Sequence, residues 1–156
     1  MARGPQVGDR APDFELDGTE GRFRLDDHRG ERVVVLFYPG DETPVCTRQF
    51  CSYRDHGDEM AELDATVVGI SAQSVASHAR FSDHHDLNVP LLADSDRRVA
   101  RLYGVALPGV GTRRAVFVID EAGVVRYRNV HALGLSFHTV DDLREALASL
   151  GEPAVG

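Results

Sequence analysis

The residues of this chain best suited to chemistry are its two cysteines, Cys46 and Cys51, which lie five positions apart. Thr43 and Pro44 come just before Cys46, and these residue types are favoured at the N-cap and first position of a helix. Cys46 is therefore predicted in the first helical turn, where unpaired N–H groups and the helix dipole favour an anion. A thiol placed there loses its proton more readily, and the thiolate is the nucleophilic form. The pattern predicts a reactive cysteine; the alternative is a small buried apolar residue.

The elements on either side of Cys46 can be predicted from apolar patterning. Val33 to Tyr38 is a continuous apolar run, which is typical of a central strand covered on both faces. The helix that carries Cys46 is predicted to reach about Leu63. Its inward stripe repeats at spacings of four and three residues: Cys46, Phe50, Tyr53, Gly57 and Met60. Gly57 weakens this helix by about 0.5–1 kcal/mol relative to alanine and is predicted to mark a kink.

The remaining elements follow from the same periodicities. Alternating patterns predict two hairpins, 14–16 with 23–25 and 114–120 with 124–129. Further strands are predicted at 65–71 and 90–92, with a turn or short helix at 26–30. Helices are predicted at 75–86, 96–103 and 140–150, and an apolar loop at 107–111. Strands that alternate with helices indicate the α/β class.

Composition limits the kind of protein this can be. A length of 156 residues fits one domain, 1–156. The net charge of −8 argues against a nucleic-acid surface, which would need a basic stripe. No apolar run approaches the ~20 residues that span a membrane, and the N-terminus lacks the apolar core of a signal peptide. We therefore expect a cytoplasmic protein, where a cysteine pair is more often catalytic or metal-binding than structural.

The segment Pro39-x-x-x-Thr43-x-x-Cys46 resembles the active-site motif of the peroxiredoxins, Pro-x-x-x-Thr/Ser-x-x-Cys. The Thr-Pro-x-Cys-Thr run and Cys51 narrow the likeness to the bacterioferritin-comigratory or Q-type branch. The resemblance covers nearly the whole chain, roughly from residue 7 to residue 150. That branch usually carries Glu where this chain has Gln49, which keeps the hydrogen-bonding shape but lacks the charge.

The resemblance implies a thioredoxin-like fold with an N-terminal β-hairpin extension and a central mixed sheet flanked by helices. It also implies a thiol-dependent peroxidase that reduces hydrogen peroxide and organic hydroperoxides without a metal, haem or flavin cofactor. The implied electron donor is a thioredoxin-like or other dithiol protein. A monomer and a weak homodimer both stay open.

The resemblance also assigns roles. Cys46 attacks the peroxide and becomes a sulfenic acid, and Cys51 resolves it as an intramolecular disulfide, the atypical 2-Cys scheme. Thr43 offers a hydroxyl to the sulfur and the peroxide, and Pro39 shields the sulfur from water. Arg114 is the implied cation.

Arg113 is the rival for that position, but strand alternation sends the two arginine side chains to opposite faces. On an intact helix, residues five apart are separated by about 140° around the axis and about 7.5 Å along it. A disulfide needs Cα atoms within about 7 Å. The helix between Cys46 and Cys51 is therefore predicted to unwind in each cycle.

Two other functions stay open as hypotheses. A protein disulfide oxidoreductase is disfavoured because the Cys-x-x-Cys spacing is absent. A peroxide-sensing module on the same fold would also form a disulfide. A zinc site built from Cys46, Cys51 and His56 is disfavoured, because these residues face different sides of a helix.

The other histidines give no clear indication of function. His84 and His85 are adjacent, so their side chains are predicted to diverge on the surface of a helix. The sequence suggests no partner for His78, His131 or His138.

Overall fold

The computed structural model describes residues 4–107, 111–131 and 137–150. Within these ranges seven strands form one mixed sheet in the order β2-β1-β5-β4-β3-β6-β7. The strands are β1 (Glu15–Gly18), β2 (Gly21–Arg24), β3 (Val33–Phe37), β4 (Thr66–Ser71), β5 (Leu91–Ala93), β6 (Ala115–Ile119) and β7 (Val125–Val130). The helices are α1 (Pro44–Asp55), α2 (Gly57–Ala61), α3 (Val75–His85), α4 (Arg98–Leu102) and α5 (Val140–Ala148), with a 3-10 helix at Leu25–His28.

Strand β3 lies in the interior of the sheet, between β4 and β6, as its apolar run predicts. All five of its residues are buried, and alternate side chains enter two separate apolar clusters. It pairs in parallel with β4 and antiparallel with β6. The antiparallel register places Phe37 opposite Ala115. The residue before Ala115 therefore comes close to the loop that leaves the end of β3.

The N-terminal hairpin is confirmed, with strands longer than predicted. Gly18 pairs with Gly21 across a two-residue turn. Gly18 also faces Leu92 of β5, which attaches the hairpin to the sheet. A Cβ at Gly18 would lie 2.5 Å from Leu92 Cδ2 and 2.7 Å from the Leu91 carbonyl oxygen. Only glycine fits this close approach of two strands.

The helix that carries Cys46 is shorter than predicted. The prediction of one element to about Leu63 was wrong, because α1 ends at Asp55 and α2 begins at Gly57. The predicted kink near Gly57 is confirmed by the non-helical backbone of His56 (φ −112°, ψ 40°). Asn88 Nδ2 donates to the Tyr53 carbonyl oxygen at 3.1 Å, which satisfies a carbonyl at the end of α1.

Replacing Gly57 with alanine is expected to stabilise the protein by about 0.5–1 kcal/mol, because alanine loses less backbone entropy on folding. The new Cβ would meet only Asn88 Nδ2, at 3.8 Å, so it costs no packing. The matched control is Gly69→Ala, whose Cβ would lie 3.0 Å from both Leu91 Cδ2 and Phe50 Cζ. Urea unfolding should show a gain for Gly57→Ala and a loss for Gly69→Ala; two losses would contradict the first prediction.

The other predicted elements are present with ends shifted by one or two residues, α4 among them. Arg97 before α4 has a left-handed backbone (φ 58°), and the buried Asp94 carboxylate accepts from Val99 N and Ala100 N at 3.1 and 2.9 Å. Residues 108–110 of the predicted loop lie outside the described ranges. No helix within those ranges is long and apolar enough to cross a membrane.

Candidate active site

Cys46 is the third residue of α1 and is fully buried. The predicted helix start is confirmed: Thr43 is the N-cap residue with an extended backbone, and Pro44 opens the helix. The Thr43 hydroxyl does not cap the helix, because it donates to the Gly40 carbonyl oxygen at 2.8 Å. Pro39 is half-buried in the same loop.

Arg114 is the cation beside the sulfur. Its Nη2 lies 3.0 Å from Cys46 Sγ, and the arginine side chain is 2% exposed. Arg113 is exposed, in keeping with the alternation of the strand. A guanidinium at hydrogen-bond distance favours the thiolate over the neutral thiol, because it interacts more strongly with the charged form.

A hydrogen-bonded chain through Gln49 fixes the position of that guanidinium. Arg114 Nη1 donates to Gln49 Oε1, and Gln49 Nε2 donates to the Tyr53 hydroxyl at 3.0 Å. The Tyr53 hydroxyl in turn donates to the His138 carbonyl oxygen at 2.5 Å. Burial raises the pKa of Tyr53, so the phenol keeps the proton that this last bond requires. The chain joins α1 to the start of β6 and to the segment before α5.

Glutamine gives this chain of bonds a fixed direction. Arginine can only donate, so Gln49 must accept with Oε1 and donate with Nε2. A glutamate at this position could only accept when ionised, and its charge would partly neutralise the guanidinium that faces the sulfur. With Gln49, the positive charge of Arg114 has no carboxylate at this contact.

Cys51 lies on the same continuous helix and is half-buried, and both thiols are free. The helix between the two cysteines includes Gln49 and Phe50. Phe50 is fully buried and makes edge contacts with three aromatic rings, those of Tyr38, Tyr53 and Phe81. Bringing the cysteines together would therefore disturb both the Gln49 hydrogen bonds and a packed aromatic cluster.

His78 has a partner that the sequence did not indicate. It is fully buried, with Nδ1 2.8 Å from Asp41 Oδ2 and Nε2 3.0 Å from the Leu92 carbonyl oxygen. The Asp41 carboxylate and the Leu92 carbonyl oxygen therefore hold the imidazole ring from both of its nitrogens. The hydroxyls of Tyr38 and Ser77 also donate to Asp41, each at 2.7 Å.

These bonds decide the charge of Asp41. Burial opposes ionisation, but the hydrogen bonds from His78, Tyr38 and Ser77 together hold the pKa of Asp41 below its ordinary value. The pair ties the loop before Cys46 to α3. A sequence signal existed in hindsight: His78 lies three residues before Phe81, on the face of α3 that turns inward.

Replacing Asp41 with asparagine is expected to destabilise the protein by about 1–3 kcal/mol, because it leaves the buried His78 without its anion. The exposed Asp83→Asn is the control and should change stability by less than about 0.5 kcal/mol. Urea unfolding at neutral pH measures both. Equal effects would contradict a stabilising role for the buried hydrogen bonds between Asp41 and His78.

His131 and His138 form a second set of histidines, near Arg114. His131 Nε2 is 3.0 Å from His138 Nδ1, and His138 Nε2 is 2.8 Å from the Tyr127 hydroxyl. Burial and the nearby Arg114 charge lower the pKa of His131, while burial and His131 lower the pKa of His138; Asp142 opposes both shifts. Both imidazoles are thus held neutral in the folded protein to a lower pH than in the unfolded chain.

Stability is therefore expected to fall as the pH drops below about 6.5, the ordinary histidine value, because the unfolded chain binds protons first. Above that pH these groups have no such effect. Urea unfolding between about pH 7.5 and about pH 5 should show a shallower decline for the His131→Gln/His138→Gln double variant than for the wild type. The exposed His56→Gln should keep the wild-type slope; a flattened slope there would contradict the assignment.

The prediction that His84 and His85 diverge was wrong. His84 Nδ1 lies 2.9 Å from Glu42 Oε2, and His85 Nε2 lies 2.7 Å from Glu42 Oε1. The ring centroids are 4.3 Å apart. The two residues use different ring nitrogens and different carboxylate oxygens, so neighbouring side chains at the end of α3 reach one group.

Fold and site together define a class. A cysteine lies in the first turn of a helix that follows an interior strand of a mixed sheet. Its sulfur faces a buried guanidinium, and a second cysteine follows on the same helix. This is a thiol-based redox protein with a thioredoxin-like fold.

Comparison with known proteins gives the family. The chain belongs to the AhpC/TSA family, whose profile matches residues 7–128, and within it to the Bcp/Q-type peroxiredoxins. It is 36% identical over 126 residues to "Peroxiredoxin Bcp" of Bacillus subtilis, covering 76% of this chain and 80% of that one. It is 38% identical over 128 residues to "Putative peroxiredoxin bcp" of Coxiella burnetii, covering 77% and 85%. The crystal structure of "Peroxidoxin BcpB" from Mycobacterium tuberculosis superposes with a TM-score of 0.82 at 32% identity, covering 95% of this chain and 99% of that one.

Proposed function

We propose that this protein is a thiol-dependent peroxidase that reduces hydrogen peroxide and small organic hydroperoxides, with Cys46 as the nucleophile. Membership of the peroxiredoxins supports the peroxidase class. The observation that carries the assignment of the nucleophile is the 3.0 Å contact between Cys46 Sγ and Arg114 Nη2. That contact favours a thiolate, which is the form that attacks peroxide.

In the first step the Cys46 thiolate attacks one peroxide oxygen. The O–O bond breaks, the sulfur becomes a sulfenic acid, and the other oxygen leaves with a proton as water or an alcohol. Charge grows on the leaving oxygen, so donors placed there lower the barrier. Among the described residues the buried Nε–H of Arg114 has no acceptor, which supports a role in donating to an oxygen of the peroxide.

Thr43 and Pro39 are proposed to control how the peroxide approaches the Cys46 sulfur. The Thr43 hydroxyl lies in the loop before the nucleophile and can turn from the Gly40 carbonyl oxygen toward the peroxide. Pro39 has no N–H to attract water and is proposed to shield the sulfur. Because Cys46 is fully buried, entry of peroxide requires a small opening of this loop.

In the second step Cys51 is proposed to attack the sulfenic acid, which forms an intramolecular disulfide and releases water. On the intact α1 the two cysteines are about 7.5 Å apart along the axis. The helix must unwind, which breaks the contact of Gln49 with Arg114 and removes Phe50 from its aromatic cluster. The unwound state exposes the disulfide to a thioredoxin-like or other dithiol protein, which a cytoplasmic setting would supply.

Steady-state turnover tests the proposal. The reduced protein, supplied with hydrogen peroxide, thioredoxin, thioredoxin reductase and NADPH, is expected to consume many equivalents of peroxide. A peroxide sensor with a disulfide that thioredoxin does not reduce would consume about one equivalent and then stop. Absence of turnover with every dithiol protein tried would overturn the enzymatic proposal.

Mass spectrometry tests the resolving step. After one equivalent of peroxide, the wild-type chain is expected to lose two hydrogens, and digestion should link the peptides that contain Cys46 and Cys51. Loss of amide protection across 44–55 in hydrogen exchange should accompany the link. A linked chain with full protection in α1 would contradict the unwinding.

A further inference from the structure

The cluster of Glu42, His84 and His85 offers three ligand atoms to one point. Those atoms, one from each residue, lie within 4.8 Å of one another. Ligands that share a zinc ion at ~2.0–2.1 Å lie no more than about 4 Å apart, so the cluster needs only a small closure. Glu42 and His84 are largely exposed, with side-chain exposures of 46% and 68%, so they can make that movement.

The third residue of the cluster, His85, is held in place. The His85 side chain is 19% exposed, and its ring makes an edge contact with Phe81 at 5.4 Å. Arg54 of α1 donates to the His85 carbonyl oxygen at 2.7 Å, which anchors the end of α3. Glu42 has a left-handed backbone (φ 61°), an unusual conformation for a residue other than glycine.

We propose that Glu42, His84 and His85 form a binding site for a divalent transition metal ion, with Zn²⁺ as its representative. Two imidazoles and one carboxylate favour Zn²⁺, Cu²⁺ or Ni²⁺ over Mg²⁺ or Ca²⁺, which prefer oxygen ligands. Three protein ligands leave a fourth position for water, as in open zinc sites. The ion replaces the hydrogen bonds that now join the two histidines to the carboxylate.

The site lies close to the nucleophile. Glu42 comes two residues before α1 begins, whereas His84 and His85 end α3. A bound ion therefore ties the loop before Cys46 to α3. A further consequence rests on the proposed function. The ion slows disulfide formation, because it opposes the loop movement that unwinding of α1 requires.

Direct binding is measured in the Cys46→Ser/Cys51→Ser chain, which removes thiol ligands and makes the result independent of peroxide chemistry. A chromophoric chelator that competes with the protein for Zn²⁺ measures the binding, and one bound ion per chain is expected. Glu42→Gln, His84→Gln and His85→Gln, each in that background, should weaken binding by about tenfold or more. Excess Mg²⁺ should not compete.

The matched control is His131→Gln, since His131 also lies beside another histidine but outside the cluster. It should leave the Zn²⁺ affinity unchanged. Three results would overturn the site: no bound ion, equal affinity in the Glu42→Gln/His84→Gln double variant, or a loss only in His131→Gln. Circular dichroism checks that each variant is folded.

The consequence for disulfide formation has its own test. Saturating Zn²⁺ should slow the peroxide-driven link between Cys46 and Cys51 in the wild type by more than in the Glu42→Gln/His84→Gln variant. Equal slowing in both would mean that zinc acts on the thiols, and the coupling would be wrong. A failure of the wild type to react with peroxide at all would instead refute the proposed function and leave the binding result standing.

Discussion

Cys46→Ser is expected to reduce peroxide consumption to the uncatalysed background, a loss on the order of 10⁶ in rate. The serine hydroxyl is hardly ionised near neutral pH, so the nucleophile is lost. The fold should survive, because serine is close to cysteine in size and its hydroxyl can accept from the guanidinium of Arg114. Stopped-flow mixing of the reduced protein with hydrogen peroxide measures the reaction, and tyrosine fluorescence reports it, since the chain has no tryptophan.

Cys51→Ser is the matched control for that experiment. It keeps the nucleophile, so it should consume one equivalent of peroxide at the wild-type rate and then stop or over-oxidise. An added small thiol should restore turnover. Normal peroxide consumption by Cys46→Ser would show that the nucleophile is wrongly assigned, whereas full turnover by Cys51→Ser would refute only the resolving role.

Arg114→Leu is expected to slow the first step by about 10²–10³, the usual effect of removing one preorganised donor from a developing charge. Leucine removes both the cation at 3.0 Å from the sulfur and the donor to Gln49. Arg113→Leu should change the rate by less than about twofold, because that side chain is exposed. Stopped-flow mixing of the reduced protein with peroxide, without added reductant, separates this step from resolution, because only the first step becomes faster as the peroxide concentration rises.

Gln49→Leu separates the effect of the Arg114 charge from the effect of holding Arg114 in position. It breaks the same Gln49–Arg114 hydrogen bond but leaves the guanidinium in the protein. If the positive charge beside Cys46 is what matters, Gln49→Leu should lose much less rate than Arg114→Leu. Equal losses would mean that Arg114 acts mainly by organising the hydrogen-bonded chain, and equal effects of Arg113→Leu and Arg114→Leu would refute the choice between them.

The sequence predicted most accurately those structural features that depend only on neighbouring residues. The start of α1 depends on Thr43 and Pro44, whose backbone preferences need no distant partner. The buried character of β3 follows from an apolar run, and the hairpin follows from alternation. The end of α1 was missed because it depends partly on Asn88, which reaches the Tyr53 carbonyl oxygen from 35 residues away.

The site was predictable in part. The motif named Cys46, and the family resemblance named Arg114. Strand alternation required that only one of Arg113 and Arg114 face the sulfur, and the spacing before Phe117 favoured Arg114. The chain from Arg114 through Gln49 and Tyr53 to the His138 carbonyl oxygen was not visible, since it joins three elements. A hydrogen bond between distant residues leaves no periodic trace in one sequence.

By itself, the order of residues determined where the helix that carries Cys46 begins and that β3 is buried. Only the packed chain decided that His78 pairs with Asp41, and that His84 and His85 meet on Glu42, across separations of 37, 42 and 43 residues. The physical reason is that caps and strand patterns arise from short-range backbone energetics, whereas these contacts depend on how α3 packs against the loop after β3. That packing depends on the whole sheet and on the apolar clusters that cover its two faces.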